Sequence, residues 1–125
     1  MKLNYDCVRD LLLLLENDLG LNSYVSIANL SEENYSREEW LYSAKKLIEA
    51  GFIKAVPIDT MSGLIDIDVR EITWGGHQFL ENIRPKTTWD KSKDAAKSIG
   101  GASLLVLSKI AEGLTSAFLN KQLGL

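Results

Sequence analysis

The chain predicts an α+β, mostly helical fold with one antiparallel hairpin and a long C-terminal helix, and three observations carry that reading. Ser36-Arg37-Glu38-Glu39 has the form of a capping box, in which the serine hydroxyl and the glutamate carboxylate each satisfy a backbone N–H of the first helical turn. Ile65, Ile67 and Val69 alternate with Asp66, Asp68 and Arg70, the period of a half-buried antiparallel strand. Toward the C-terminus, Ile99, Val106, Ile110, Leu114 and Ala117 recur at helical spacing, with Ser108, Lys109, Glu112 and Ser116 opposite them.

Each element follows from local chemistry. Asn4 or Asp6 can cap a first helix to about Asn17, with Gly20 as terminator, and five consecutive leucines from Leu11 cover more than one of its faces. Tyr24 to Leu30 has strand character, and Ser31 to Tyr35 is polar and turn-like. The helix after Ser36 runs to Ala50 on an apolar face of Trp40, Leu41, Ala44, Leu47 and Ile48, and Gly51 suits the left-handed position beyond it. Phe52 to Asp59, a turn over Thr60 to Gly63, and Leu64 to Thr73 form the hairpin, and Pro57 puts its first strand at an edge. Thr73 can cap a helix from Trp74 to about Arg84, with Phe79, Leu80 and Ile83 inward and Pro85 ending it. Lys86 to Asp90 reads as a linker. A last helix then runs from about Trp89 to Leu119, kinked at Gly100-Gly101.

The chain has 125 residues, 46% of them hydrophobic and 25% charged, which suits one globular core. Cys7 is the single cysteine, read as a reduced, half-buried helix residue, so no internal disulfide forms. No signal peptide or membrane-length apolar run is evident, and the expected location is cytoplasmic. The net charge of -3 conceals an asymmetry: residues 1–83 hold seven basic and fourteen acidic side chains, residues 84–125 seven basic and three acidic. An acidic body does not invite phosphate backbones.

Helix, short strand, helix, two-stranded wing, helix is the winged-helix order. Residues 1–84 are therefore read as a winged-helix-like domain, and 85–125 as a linker with an amphipathic C-terminal helix. One departure is that the helix normally preceding the recognition helix must be squeezed into Ser31 to Tyr35 or be absent. The segments "MKLNYDCVRDLLL", "YSREEWLYSAKKLIEAGFI", "ITWGGHQFLENIR" and "LSKIA" resemble the uncharacterised family known as domain of unknown function 2513. That resemblance implies a small bacterial protein, frequently encoded in phages and prophages, and it implies no activity or catalytic residues.

Two sets of candidate residues emerge. A DNA reader of this fold would use Arg37, Ser43, Lys45 and Lys46 on the helix after Ser36, with Arg84, Lys91, Lys93 and Lys97 on phosphates. Against this, the wing tip Asp59 to Leu64 has no Lys or Arg, and Asp59, Asp66 and Asp68 surround it. Ile99, Val106, Ile110, Leu114 and Phe118 are the candidate interface of the last helix, which must be buried by the body, a second copy or another partner; Leu105 and Leu119 widen it. Asp66 and Asp68 are too few for a magnesium or calcium site. His77, the single histidine, reads as a packed or capping residue, and Trp74 as an anchor between wing and helix. A pocket gathering His77 with carboxylates is what an enzyme would require. No phosphate loop, zinc spacing or catalytic triad is present, and no cofactor is expected. The expectation is a non-enzymatic protein-binding module, dimeric through its last helix, with a DNA-binding regulator as the alternative.

Overall fold

The structure, a computed structural model, describes residues 1–124. Its class is α+β and mostly helical. In chain order come α1 (Tyr5–Asp18), β1 (Val25–Ser26), a 3-10 turn (Ile27–Asn29), α2 (Arg37–Glu49), β2 (Ile53–Thr60), β3 (Gly63–Ile72), α3 (Trp74–Ile83), α4 (Lys86–Ser98) and α5 (Leu104–Leu123). The chain divides into two compact units, Met1–His77 and a second from Gln78 onward, the division falling within α3.

In the first unit, α1 packs on α2, and both cover a three-stranded antiparallel sheet of order β1-β3-β2. Val8, Leu11, Leu12 and Leu15 of α1 meet Trp40, Leu41, Ala44 and Leu47 of α2 in a buried core that also takes Ile27, Phe52, Ile53, Ile67 and Val69. The capping box forms as its spacing demands: Ser36 Oγ accepts from Glu39 N at 3.1 Å, and Glu39 Oε1 accepts from Ser36 N at 3.1 Å. Gly51 ends this helix with φ 77°. Thr60 faces Gly63 across the hairpin turn, and β2, which holds Pro57, is an edge strand.

Several expectations are corrected here. The strand over Tyr24 to Leu30 shrinks to Val25–Ser26, because Asp66 draws the following backbone away from the ladder. Its carboxylate accepts from Ser26 Oγ at 2.6 Å and from Ala28 N at 2.9 Å, and the chain turns into the 3-10 segment. That single turn is the helical structure found between β1 and α2. Ser31 to Tyr35 contains none and is instead pinned by side chains, Trp40 Nε1 donating to Ser31 O at 2.9 Å and Tyr35 Oη to Asp10 at 2.6 Å. Cys7 is fully buried, not half-buried.

In the second unit, the anticipated linker Lys86 to Asp90 is the first turn of α4. Pro85 supplies φ -66° and a carbonyl that accepts from Trp89 N at 3.0 Å, a position where its missing N–H costs nothing. Lys86 pairs with Asp90 one turn on, at 3.0 Å, and Trp89 is buried. The single long helix is two helices. Gly100 and Gly101 take φ 84° and 110°, conformations that break the helix outright rather than kink it, and Ser103 Oγ caps α5 by accepting from Val106 N at 3.3 Å. The face of α5 that packs inward holds Leu104, Leu107 and Ala111.

Candidate functional site

The eight candidate nucleic-acid residues fall on two units. In the first, Arg37 is exposed at the start of α2, and its Nη2 donates to Ile65 O of the wing at 2.6 Å. Lys46 pairs with Glu49 at 2.9 Å, and its Nζ lies 5.3 Å from the Tyr42 ring centroid. Lys45 is exposed. Ser43 is 1% exposed and cannot read a base edge; it lies on the core side of α2, hydrogen-bonded to Cys7. Burial pushes the Cys7 thiol up to about 11, with Ser43 pulling the other way, so the thiol stays protonated and unreactive.

In the second unit, Arg84 pairs with Glu81 at 3.0 Å, and Lys93 lies 3.8 Å from Asp90 and 5.5 Å from the Trp89 ring centroid. Lys91 and Lys97 are exposed. Helical spacing puts Lys93 and Lys97 on one side of α4 and Lys91 on another, so the basic segment forms no single stripe.

The β2–β3 hairpin is apolar at its exposed end and carries no cation at its turn. Val56, Ile58, Met61 and Ile65 are all exposed, and no Lys or Arg lies between Asp59 and Leu64. Asp66 does not belong to the tip. Burial pushes its carboxyl up, but bonds from Ser26, the Ala28 and Ile67 N–H groups, and the Arg37 charge outweigh that and hold it below the usual carboxylate range. The sequence reading did not single out Val56 and Ile58; the readable signal was that the tip lacked any cation.

Of the expected interface on the last helix, Val106 and Phe118 are exposed, Ile110 and Leu114 are half-buried, and Ile99 is exposed but lies in the loop before Gly100 rather than on α5. Leu105, Leu119 and Leu123 are also exposed. Leu114, Phe118 and Leu119 line, with Pro85, Thr88 and Lys91, a groove of about 480 Å³.

His77 is exposed, not packed, and Trp74 beside it is 81% exposed, so it anchors nothing. His77 does border a groove of about 310 Å³ together with Glu16, Arg70 and Glu71. Glu71 is paired with Lys54 at 3.3 Å, and Arg70 stacks on Tyr24 at 4.9 Å. None of the residues lining this groove carries a hydroxyl or a thiol. Among the described residues no three His, Cys, Asp or Glu side chains are grouped to hold a metal, and no helix is long and apolar enough to cross a membrane.

No solved structure matches the chain. A protein of Haemophilus influenzae, named only as uncharacterized, is 30% identical over 120 residues, covering 95% of this chain and 99% of that one. The model of the family described as "Hypothetical protein (DUF2513)" matches residues 2–103, from the first helix through the glycine pair that ends α4. The chain belongs to the DUF2513 family, as its four sequence segments suggested.

Proposed function

We propose that the chain is a non-enzymatic, winged-helix-type interaction module of the phage or prophage type, working in the cytoplasm by binding a protein partner. The order α1, β1, α2, β2, β3, α3 supports the winged-helix reading, with the 3-10 turn at Ile27–Asn29 in place of a full helix before α2. The observation that carries the protein-binding reading is the wing: Val56, Ile58, Met61 and Ile65 present exposed apolar side chains where a nucleic-acid wing presents Lys and Arg. Exposed apolar groups gain by leaving water against another protein, whereas affinity for a duplex comes largely from counterions released by cations.

The regulator alternative is weakened residue by residue. Ser43 is buried, Arg37 and Lys46 are engaged within the chain, and residues 1–83 carry twice as many acidic as basic side chains. Titration of random-sequence duplex DNA at low salt, repeated at physiological salt, tests the choice. No binding at low salt is expected. Binding that weakens steeply with salt overturns the reading in favour of the DNA-binding regulator.

A further inference from the structure

α5 is apolar beyond what its own unit buries. Its twenty residues span about 30 Å, yet they include three charged side chains, Lys109, Glu112 and Lys121. Leu104, Leu107 and Ala111 occupy the inward face. Helical spacing puts Val106, Lys109, Gly113, Ser116, Ala117 and Asn120 on the opposite face, flanked by Leu105 and Leu123 on one edge and Ile110 on the other.

Gly113 lies at the middle of that outer face. Its backbone does not take a positive φ, so its conformation does not call for glycine. A Cβ there would meet no atom of the chain within 4 Å, so internal packing does not call for glycine either. Glycine is among the poorest residues inside a helix. What does call for it is a second helix crossing closely, since interaxial distances fall toward about 8 Å only where the contact side chains are small.

We infer that the outer face of α5, centred on Gly113, is a homodimer interface, joining two copies of this chain antiparallel about a two-fold axis at that glycine. The inference deepens the reading of the chain as a protein-binding module by naming the partner as a second copy. The face matches itself: the antiparallel arrangement sets Leu105 of each copy beside Leu123 of the other, and Lys109 of each on the same edge as Ser116 and Glu112 of the other, with no two lysines opposed.

The area agrees. Leu105 is 53% exposed, Val106 42% and Leu123 70%. At roughly 100 Å² for half a large apolar residue, these three offer about 300 Å². A stable interface covers about 800 Å² per partner, somewhat more than half of it apolar, so these three side chains, with Ile110 and Ala117 beside them, supply the larger part of the apolar area one side needs.

Sedimentation of the full chain from micromolar to sub-millimolar concentration tests this. The wild type is expected to be a dimer. Gly113→Gln is expected to raise the dimer dissociation constant at least about tenfold while leaving thermal stability of the monomer equal or higher, because glutamine is a good helix former with open space around it. Leu105→Lys should weaken the dimer likewise. A wild type that stays monomeric, or a Gly113→Gln variant that dimerises unchanged, overturns the inference. Neither outcome touches the duplex-DNA test of the preceding reading, since a monomer that ignores DNA remains a module for a different protein, and a dimer that binds DNA remains a dimer.

Discussion

At the scale of single residues, polar side chains in the first unit serve backbone ends. Asn4 Oδ1 accepts from Cys7 N to cap α1, while Asn4 Nδ2 donates to Glu39 Oε2 at 2.9 Å, and Glu39 closes the capping box of α2. The two helix starts thus share one hydrogen-bonded group, and the Asn4 bond, followed by the Ser36 N–H, holds the Glu39 carboxyl below its ordinary range. Asp66 has the same office for β1 and the 3-10 turn. Because its folded pKa lies below the unfolded value of about 3.9, its contribution is fully present above that pH and is lost as pH falls through the folded value. Asp66→Asn should destabilise by about 1–3 kcal/mol at neutral pH, and denaturant melts repeated toward acid should show the gap from wild type closing below about pH 4. A gap that stays constant with pH would mean that the charge of Asp66 contributes nothing. Cys7 makes a kinetic prediction: buried and raised to about 11, its thiol should react with a disulfide reagent only as fast as the chain opens, and immediate labelling of the native protein would contradict its burial.

Elements are where sequence and structure part company. The helix after Ser36 was legible to the residue because its signals are local: a capping box at one end, Gly51 at the other, and an apolar face between. The hairpin was legible from alternation and Pro57. What was not legible depended on contacts distant in sequence. Nothing in Tyr24 to Leu30 announces that Asp66, forty residues on from Ser26, will end the strand. Ser43 sits at a polar-looking position of α2 and is buried because α1 lies over it. The C-terminal misreading is different in kind, since Gly100-Gly101-Ala102-Ser103 states a stop followed by a cap where the chain was read as one kinked helix. The "TWGGH" block shows the same locality. A Cβ on Gly76 would stand 2.0 Å from Phe52 O and 2.7 Å from Ile72 Cγ2, so the start of α3 lies directly on the backbone where β2 begins. Thr73 reinforces that joint, donating to Gly51 O at 2.6 Å and capping Gly76 N at 3.1 Å. Gly76→Ala should therefore cost about 3 kcal/mol or more, whereas Gly75→Ala, with its nearest atom 3.6 Å away on the Phe52 ring, should be close to neutral. Equal effects of the two in chemical denaturation would place the close approach elsewhere.

Across the whole molecule, exposed apolar surface includes a patch on the hairpin of the first unit and the outer face of α5 in the second. Both lie on a chain whose acidic side chains concentrate before residue 84 and whose basic excess follows it. Isolated exposed apolar residues are ordinary, but contiguous ones on an edge strand invite pairing and are normally blunted by charge. On β2, Lys54, Pro57 and Asp59 blunt the edge, while Val56 and Ile58 stay exposed between them. If the wing serves a separate partner and α5 joins the copies, the two surfaces are independent. Val56→Lys combined with Ile58→Lys should then change unfolding free energy by no more than about 0.5 kcal/mol, as for other exposed positions, and should leave the sedimenting mass of the full chain unchanged. A fall to the monomer mass in that double variant would assign self-association to the wing and leave α5 as the surface awaiting a partner. An unchanged mass alongside a dimer broken by Gly113→Gln would fix self-association on α5, so that each dimer presents two wings, and any partner engaged through them would be bound in two copies.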